Sequence, residues 1–133
     1  MTTPRATFSP GALLEGFGPC GDPPEATVEA PEEMALPVGA ILTDLQHQDE
    51  LTQVIGFVPA TPQEVRNELS ARTDLELLYA EDEIIESELL VTDGDHRTFI
   101  KARASCDAGS DLVAVVAREV DPGGLPTPSG SPG

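Results

Sequence analysis

The chain has no tryptophan, one tyrosine (Tyr79) and four phenylalanines in its 133 residues. Aromatic rings bury the most apolar area per side chain, so any core has to be assembled from Leu, Val, Ile and Ala and will be modest. Bases are almost as scarce. Seven Arg and Lys, of which Lys101 is the single lysine, stand against 24 acids and leave a formal net charge of −17. Phosphate backbones and anionic lipid surfaces repel such a chain, so neither nucleic acid nor a membrane surface is an expected partner. No apolar run is long enough to span a bilayer. The first twenty residues also lack the continuous apolar stretch of a signal peptide, so membrane insertion is not expected from the sequence as written. A nucleophile elbow, a phosphate-binding loop, a dinucleotide fingerprint and zinc-ligand spacing are all missing, so no cofactor is expected and enzymatic activity has no motif behind it.

Only two cysteines are present, Cys20 and Cys106. Cys106 falls in alternation with Ile100, Ala102 and Ala104, which on its own describes a small buried apolar residue. The sharper expectation is a Cys20–Cys106 disulfide that pins the amino-terminal arm to the domain. A closed loop of about 85 residues would then stabilise the fold by roughly 4 to 5 kcal/mol in the chain-entropy description. Such a bridge implies a secreted or cell-envelope location, and without it a cytoplasmic one is expected. Metal binding by these two alone has no support, since neither has a second Cys or His at ligand spacing.

What the sequence does contain divides it into three. Prolines at 4, 10, 19, 23, 24, 31 and 37 make residues 1–37 a flexible, partly extended arm, with Met34, Ala35 and Leu36 its expected first contact with the core. Residues 38–120 form one small domain, and 121–133 (DPGGLPTPSGSPG) read as a disordered tail.

Within the domain the clearest stretch is Ile84 to Cys106, IIESELLVTDGDHRTFIKARASC. Two β-prone runs flank Asp93-Gly94, which supplies the positive φ of a two-residue type I′ hairpin turn. That turn would set Leu89 opposite Thr98 and Ser87 opposite Ile100 on an apolar face. The other face would carry Glu86 and Glu88 among Lys101, Arg97 and Arg103. An earlier hairpin is expected between Val38 and Val58, and Leu75–Glu83 is read as a strand because a helix there would place Asp82 on the apolar side. Leu112 to Ala117 is uninterrupted apolar sequence, expected as a central strand buried on both faces.

Thr61-Pro62-Gln63-Glu64 has the spacing of a capping box with proline at the first helical position, and opens a helix over about 61–72. Val65 and Leu69 form its narrow apolar stripe, and Glu68 and Arg72 are spaced for an ion pair. The order β-β-α-β-β-β, with a further strand at the end, predicts an α+β domain. Its sheet is mostly antiparallel with five to six strands, and the helix packs on one face.

Two constellations could carry chemistry. Asp93, Asp95 and His96 put two carboxylates beside an imidazole, the donor types of a metal site or a general base, although turn formation already accounts for the aspartates. Glu81-Asp82-Glu83 could add oxygens for calcium but lacks the ladder spacing of a calcium loop. The function expected from these observations is that of a non-catalytic, acidic interaction domain recognising a protein, in particular a basic one, or a cell-envelope component. The alternative is a small metal-dependent enzyme or metal-binding protein using the Asp93-Asp95-His96 turn.

Overall fold

The computed structural model describes residues 16–119, so the 121–133 tail and the first fifteen residues of the arm lie outside the described part. Among the described residues six antiparallel strands form one sheet. They are β1 (Ile41–Gln48), β2 (Leu51–Val58), β3 (Glu76–Glu83), β4 (Glu86–Thr92), β5 (His96–Cys106) and β6 (Gly109–Arg118), and among the described residues one helix, α1 (Pro62–Ala71), lies between β2 and β3. Their order across the sheet is β1-β2-β6-β5-β4-β3. The chain therefore makes a hairpin, crosses by way of α1 to the far edge, and meanders back until β6 closes against β2. The uninterrupted apolar run is central, as its composition requires, with Leu112 and Ala114 fully buried and Val116 nearly so.

The helix starts where the local chemistry dictates. Thr61 Oγ1 accepts from the Glu64 amide at 3.2 Å and Glu64 Oε1 accepts from the Thr61 amide at 2.8 Å, so two of the otherwise orphaned amino-terminal donors are satisfied. Val65 and Leu69 are buried and lie on β4, β3 and β5, in one cluster with Leu89, Val91 and Ile100. Each such side chain, fully removed from water, contributes roughly 1.5 to 3 kcal/mol before ordering costs. The expected Glu68–Arg72 pair does not form. Glu68 instead accepts from the Val38 amide at 3.0 Å, and Arg72 chelates Asp74 at 3.2 Å while donating to Leu36 O at 3.0 Å. Tertiary partners outside the helix win over the i,i+4 neighbour, because an exposed pair of that kind is worth only a few tenths of a kcal/mol.

The arm is less free than its prolines imply. The Thr27 amide donates to Leu42 O at 2.9 Å and its hydroxyl to Thr43 O at 2.8 Å. Met34 is buried in the core cluster, with Val28, Ala35 and Leu36 packed against it. Beside it the Ala35 amide donates to the buried Thr98 Oγ1 at 3.1 Å. Proline keeps this segment extended, yet the ordered domain reaches back at least to Thr27.

The hairpin register differs by two residues from that of a two-residue turn. Thr92 pairs with Arg97, Val91 with Thr98, Leu89 with Ile100 and Ser87 with Ala102. The loop therefore spans Asp93 to His96, closed by an Asp93 N–H to His96 O bond of 3.2 Å, and Gly94 alone within it takes a positive φ of 99°. A shift of two preserves which side chains share a face, since the strand period is two. β4 starts at Glu86 rather than Ile84: Ile84 and Ile85 form the β3–β4 turn, where Gln63 Nε2 of the helix donates to Glu83 O and Ile84 O at 2.8 and 2.9 Å.

Cys20 and Cys106 stand at disulfide geometry with Cα atoms 5.0 Å apart. Cys106 does not continue the face of Ile100, Ala102 and Ala104. The β5–β6 register slips between Ala104 and Cys106, making Ser105 an inserted residue and turning Cys106 to the opposite face. There it meets Gly109 and the Phe57 ring: a Cβ on Gly109 would come within 2.5 Å of Phe57 Cζ and 2.8 Å of the Cys106 sulfur, so only glycine fits.

Candidate functional site

The register sorts the face of the sheet opposite α1 into rows. One runs Glu81, Glu88, Lys101, Val113, Ile55, and the next runs Glu83, Glu86, Arg103, Asp111, Phe57. In these rows acids gather on β3 and β4, bases stand on β5, and β2 is apolar, with Val113 and one further acid, Asp111, on β6. The β5 bases of these two rows are taken up by β4. Arg103 lies 3.2 Å from Glu86, and Lys101 lies 3.7 Å from Glu86 and 3.9 Å from Glu88. The acids of β3 are one strand too far from β5, and their cross-strand neighbours are acids too, Glu81 opposite Glu88 and Glu83 opposite Glu86. Like charges directly opposite on a sheet repel. Burial, and then the charges of Glu88, Glu83 and Glu86, accordingly push the Glu81 carboxyl above its ordinary pKa.

Asp82 alternates to the face carrying the helix, where Ser87 Oγ donates to it at 2.9 Å and Arg66 Nε lies 3.2 Å away. Glu81, Asp82 and Glu83 thus do not converge as calcium ligands would have to. Arg97, expected among the bases that answer Glu86 and Glu88, sits at 2.6 Å from Glu119, whose other oxygen takes the Thr92 hydroxyl at 2.7 Å. The Thr92 hydrogen bond first, and then Arg97, hold the Glu119 carboxyl below its ordinary range against the opposing effect of burial.

In the Asp93–His96 turn one aspartate oxygen is already committed. Asp93 Oδ1 accepts from the amides of Asp95 at 2.8 Å and His96 at 2.7 Å, an Asx turn built from its own backbone. Burial alone would raise the Asp93 pKa, but those two amides and the His96 charge together bring it below the usual carboxylate value. Asp93, Asp95 and His96 are neighbours in the turn without forming a ligand set. Among the described residues no group of three or more His, Cys, Asp or Glu side chains could hold a metal ion. His96 borders a cleft of about 270 Å³ with Glu33, Asp49, Glu50 and Arg118, at the end of the sheet away from the disulfide. His47 is engaged at 3.1 Å with Thr52 Oγ1.

The outer strand β3 is the feature that sequence reading undervalued. Leu77 and Leu78, 38% and 37% exposed, sit at a bulge in its pairing with β4, and Glu76, Glu81 and Glu83 share the face opposite the helix. Its acid content was visible in the sequence. That its neighbours would be acids as well was not, because the β3–β4 register depends on a turn at Ile84-Ile85 that carries no turn-forming residue.

The fold class of the described residues is α+β, one antiparallel sheet with one helix on one face. No protein-family model, curated protein or solved structure matches the chain. No described helix is long and apolar enough to cross a membrane.

Proposed function

We propose that this chain is a non-catalytic interaction domain that binds a basic protein partner through the acidic β3–β4 side of its sheet, in a secreted or cell-envelope setting. One observation carries the reading: Lys101 and Arg103 of β5 are spent on Glu86 and Glu88 of β4, while Glu81 and Glu83 of β3 stand opposite those same two acids. A cationic partner supplies opposite charge and relieves the like-charge repulsion that adds to burial in raising Glu81. The Cys20–Cys106 pair supports the compartment, since bridges of this kind persist where the environment is oxidising.

The test is a titration of the isotope-labelled protein with an arginine octapeptide at low and at high salt. Shifts concentrated on β3 and β4, weakening as salt rises, are expected. Shifts spread evenly over the acids of the arm and the sheet, or none at low salt, would refute the reading.

A further inference from the structure

We infer that β3 is an open docking edge, to which an extended basic segment of a partner protein adds as a seventh strand. The inference rests on the reading above and gives it a geometry.

The two edges of the sheet are treated differently. The beginning of β1 is capped by its own chain: Thr27 and Val28 donate their amides to Leu42 O at 2.9 and 3.4 Å, and the Thr27 hydroxyl donates to Thr43 O. β3 has only β4 beside it in the strand order, and no backbone bond from a described residue reaches its outer side. Alternate N–H and C=O groups of an edge strand point away from the sheet and form a template for another strand.

The side chains say what kind of strand fits. Glu76, Glu81 and Glu83 lie on one face of β3, whereas Asp82 on the other face is already matched by Arg66 at 3.2 Å. Leu77 and Leu78 add exposed apolar surface at the bulge. Because successive side chains of a strand alternate faces, the complementary segment carries Arg or Lys at every second position and small or branched apolar residues between. A second copy of this chain does not satisfy that pattern. Pairing β3 with β3 would set Glu76, Glu81 and Glu83 against the same acids, in molecules that each carry a net charge of −17. Charge on an edge strand guards against self-pairing, and here the same charge selects the partner.

The test uses the full chain and an eight-residue peptide alternating arginine with valine. Binding should slow amide exchange of outward-facing positions within Glu76–Glu83 at least about tenfold. A peptide of the same sequence, N-methylated at the positions that would donate to β3, should bind about tenfold or more weakly, and one N-methylated at the outward positions about equally to the parent. The pair Glu76→Lys and Glu81→Lys should weaken binding far more than Glu25→Lys with Glu29→Lys, an equal charge change on the exposed arm. If both N-methylated peptides bind alike, or β3 exchange is unchanged while β4 and Lys101 resonances shift, strand addition is wrong and the acidic-face reading stands. If the unmodified peptide does not bind at low salt, both are wrong.

Discussion

Removing the Cys20–Cys106 link without deleting an atom, by reducing it, should lower stability by an amount that chain entropy sets. The bridge closes 86 residues of sequence. The loop-closure expression then gives about 4.6 kcal/mol at 25 °C, all of it acting on the unfolded ensemble. Domains of this size have total stabilities of about 5 to 15 kcal/mol, so the link is a third or more of the whole in most of that range. With a urea m-value of about 1.5 kcal/mol/M, the unfolding midpoint of the reduced protein should fall by about 3 M. The fold should survive in the absence of urea, because Thr27, Met34 and Ala35 fasten the arm independently of Cys20. The assay is urea unfolding followed by far-UV circular dichroism on oxidised and reduced protein. Cys20→Ala with Cys106→Ala serves as the permanent counterpart. The double variant should match the reduced form to within the small cost of deleting a buried sulfur beside Phe57. Coincident midpoints for oxidised and reduced protein would refute the reasoning, as would two alkylatable thiols in protein isolated from its native host without reductant.

The remaining expectations concern the fold and its charges. Thr61→Ala removes the N-cap acceptor and should cost about 1 kcal/mol in chemical denaturation, with the loss read as a lower midpoint at unchanged m-value. Gly56→Ala should cost more, toward the top of the roughly 1 to 3 kcal/mol range for overpacking, because its Cβ would meet Ile41 O and Leu42 Cα, both backbone atoms that cannot rotate away; an unchanged melting temperature would contradict the β1–β2 register. The two displaced glutamates should behave oppositely with pH. Glu81 is raised, so its ionised form opposes folding. Its favourable contribution is complete below the unfolded value and is lost as pH rises through the folded one, so Glu81→Gln should raise the melting temperature at pH 7 and lose that advantage below about pH 4. Glu119 is lowered, so its contribution is present above the unfolded value and disappears as pH falls through the folded one. Glu119→Gln should therefore lower the melting temperature at pH 7, by an amount that shrinks in acid.

Much of this structure is local chemistry, and that part was legible. Thr61-Pro62-Gln63-Glu64 specifies a helix start by itself, since cap, proline and reciprocal glutamate all act within four residues. The run Leu112–Ala117 announces a central strand because only burial on both faces tolerates it. Alternation along β4 and along β5 as far as Ala104 assigned residues to faces correctly even though the register was two residues off. The sequence thus determined which elements form, which way their side chains face, and that the surface is acidic with few bases to answer it.

Tertiary structure decided everything that depends on which strand lies beside which. The Asp93–His96 loop takes four residues because Asp93 can collect the amides of Asp95 and His96, a gain that a two-residue turn does not offer. The slip at Ser105 reverses the face of Cys106, and no alternation rule anticipates an inserted residue. Arg72 and Glu68 ignore each other for partners far away in sequence. Above all, the crossover through α1 sends β3 to the far edge, with β4 between it and the bases of β5. Charge alone is written in the composition, but its compensation is a matter of distance across a sheet. Distance is why Glu86 and Glu88 of β4 reach Lys101 and Arg103 while Glu81 and Glu83 of β3 are left opposite those same acids.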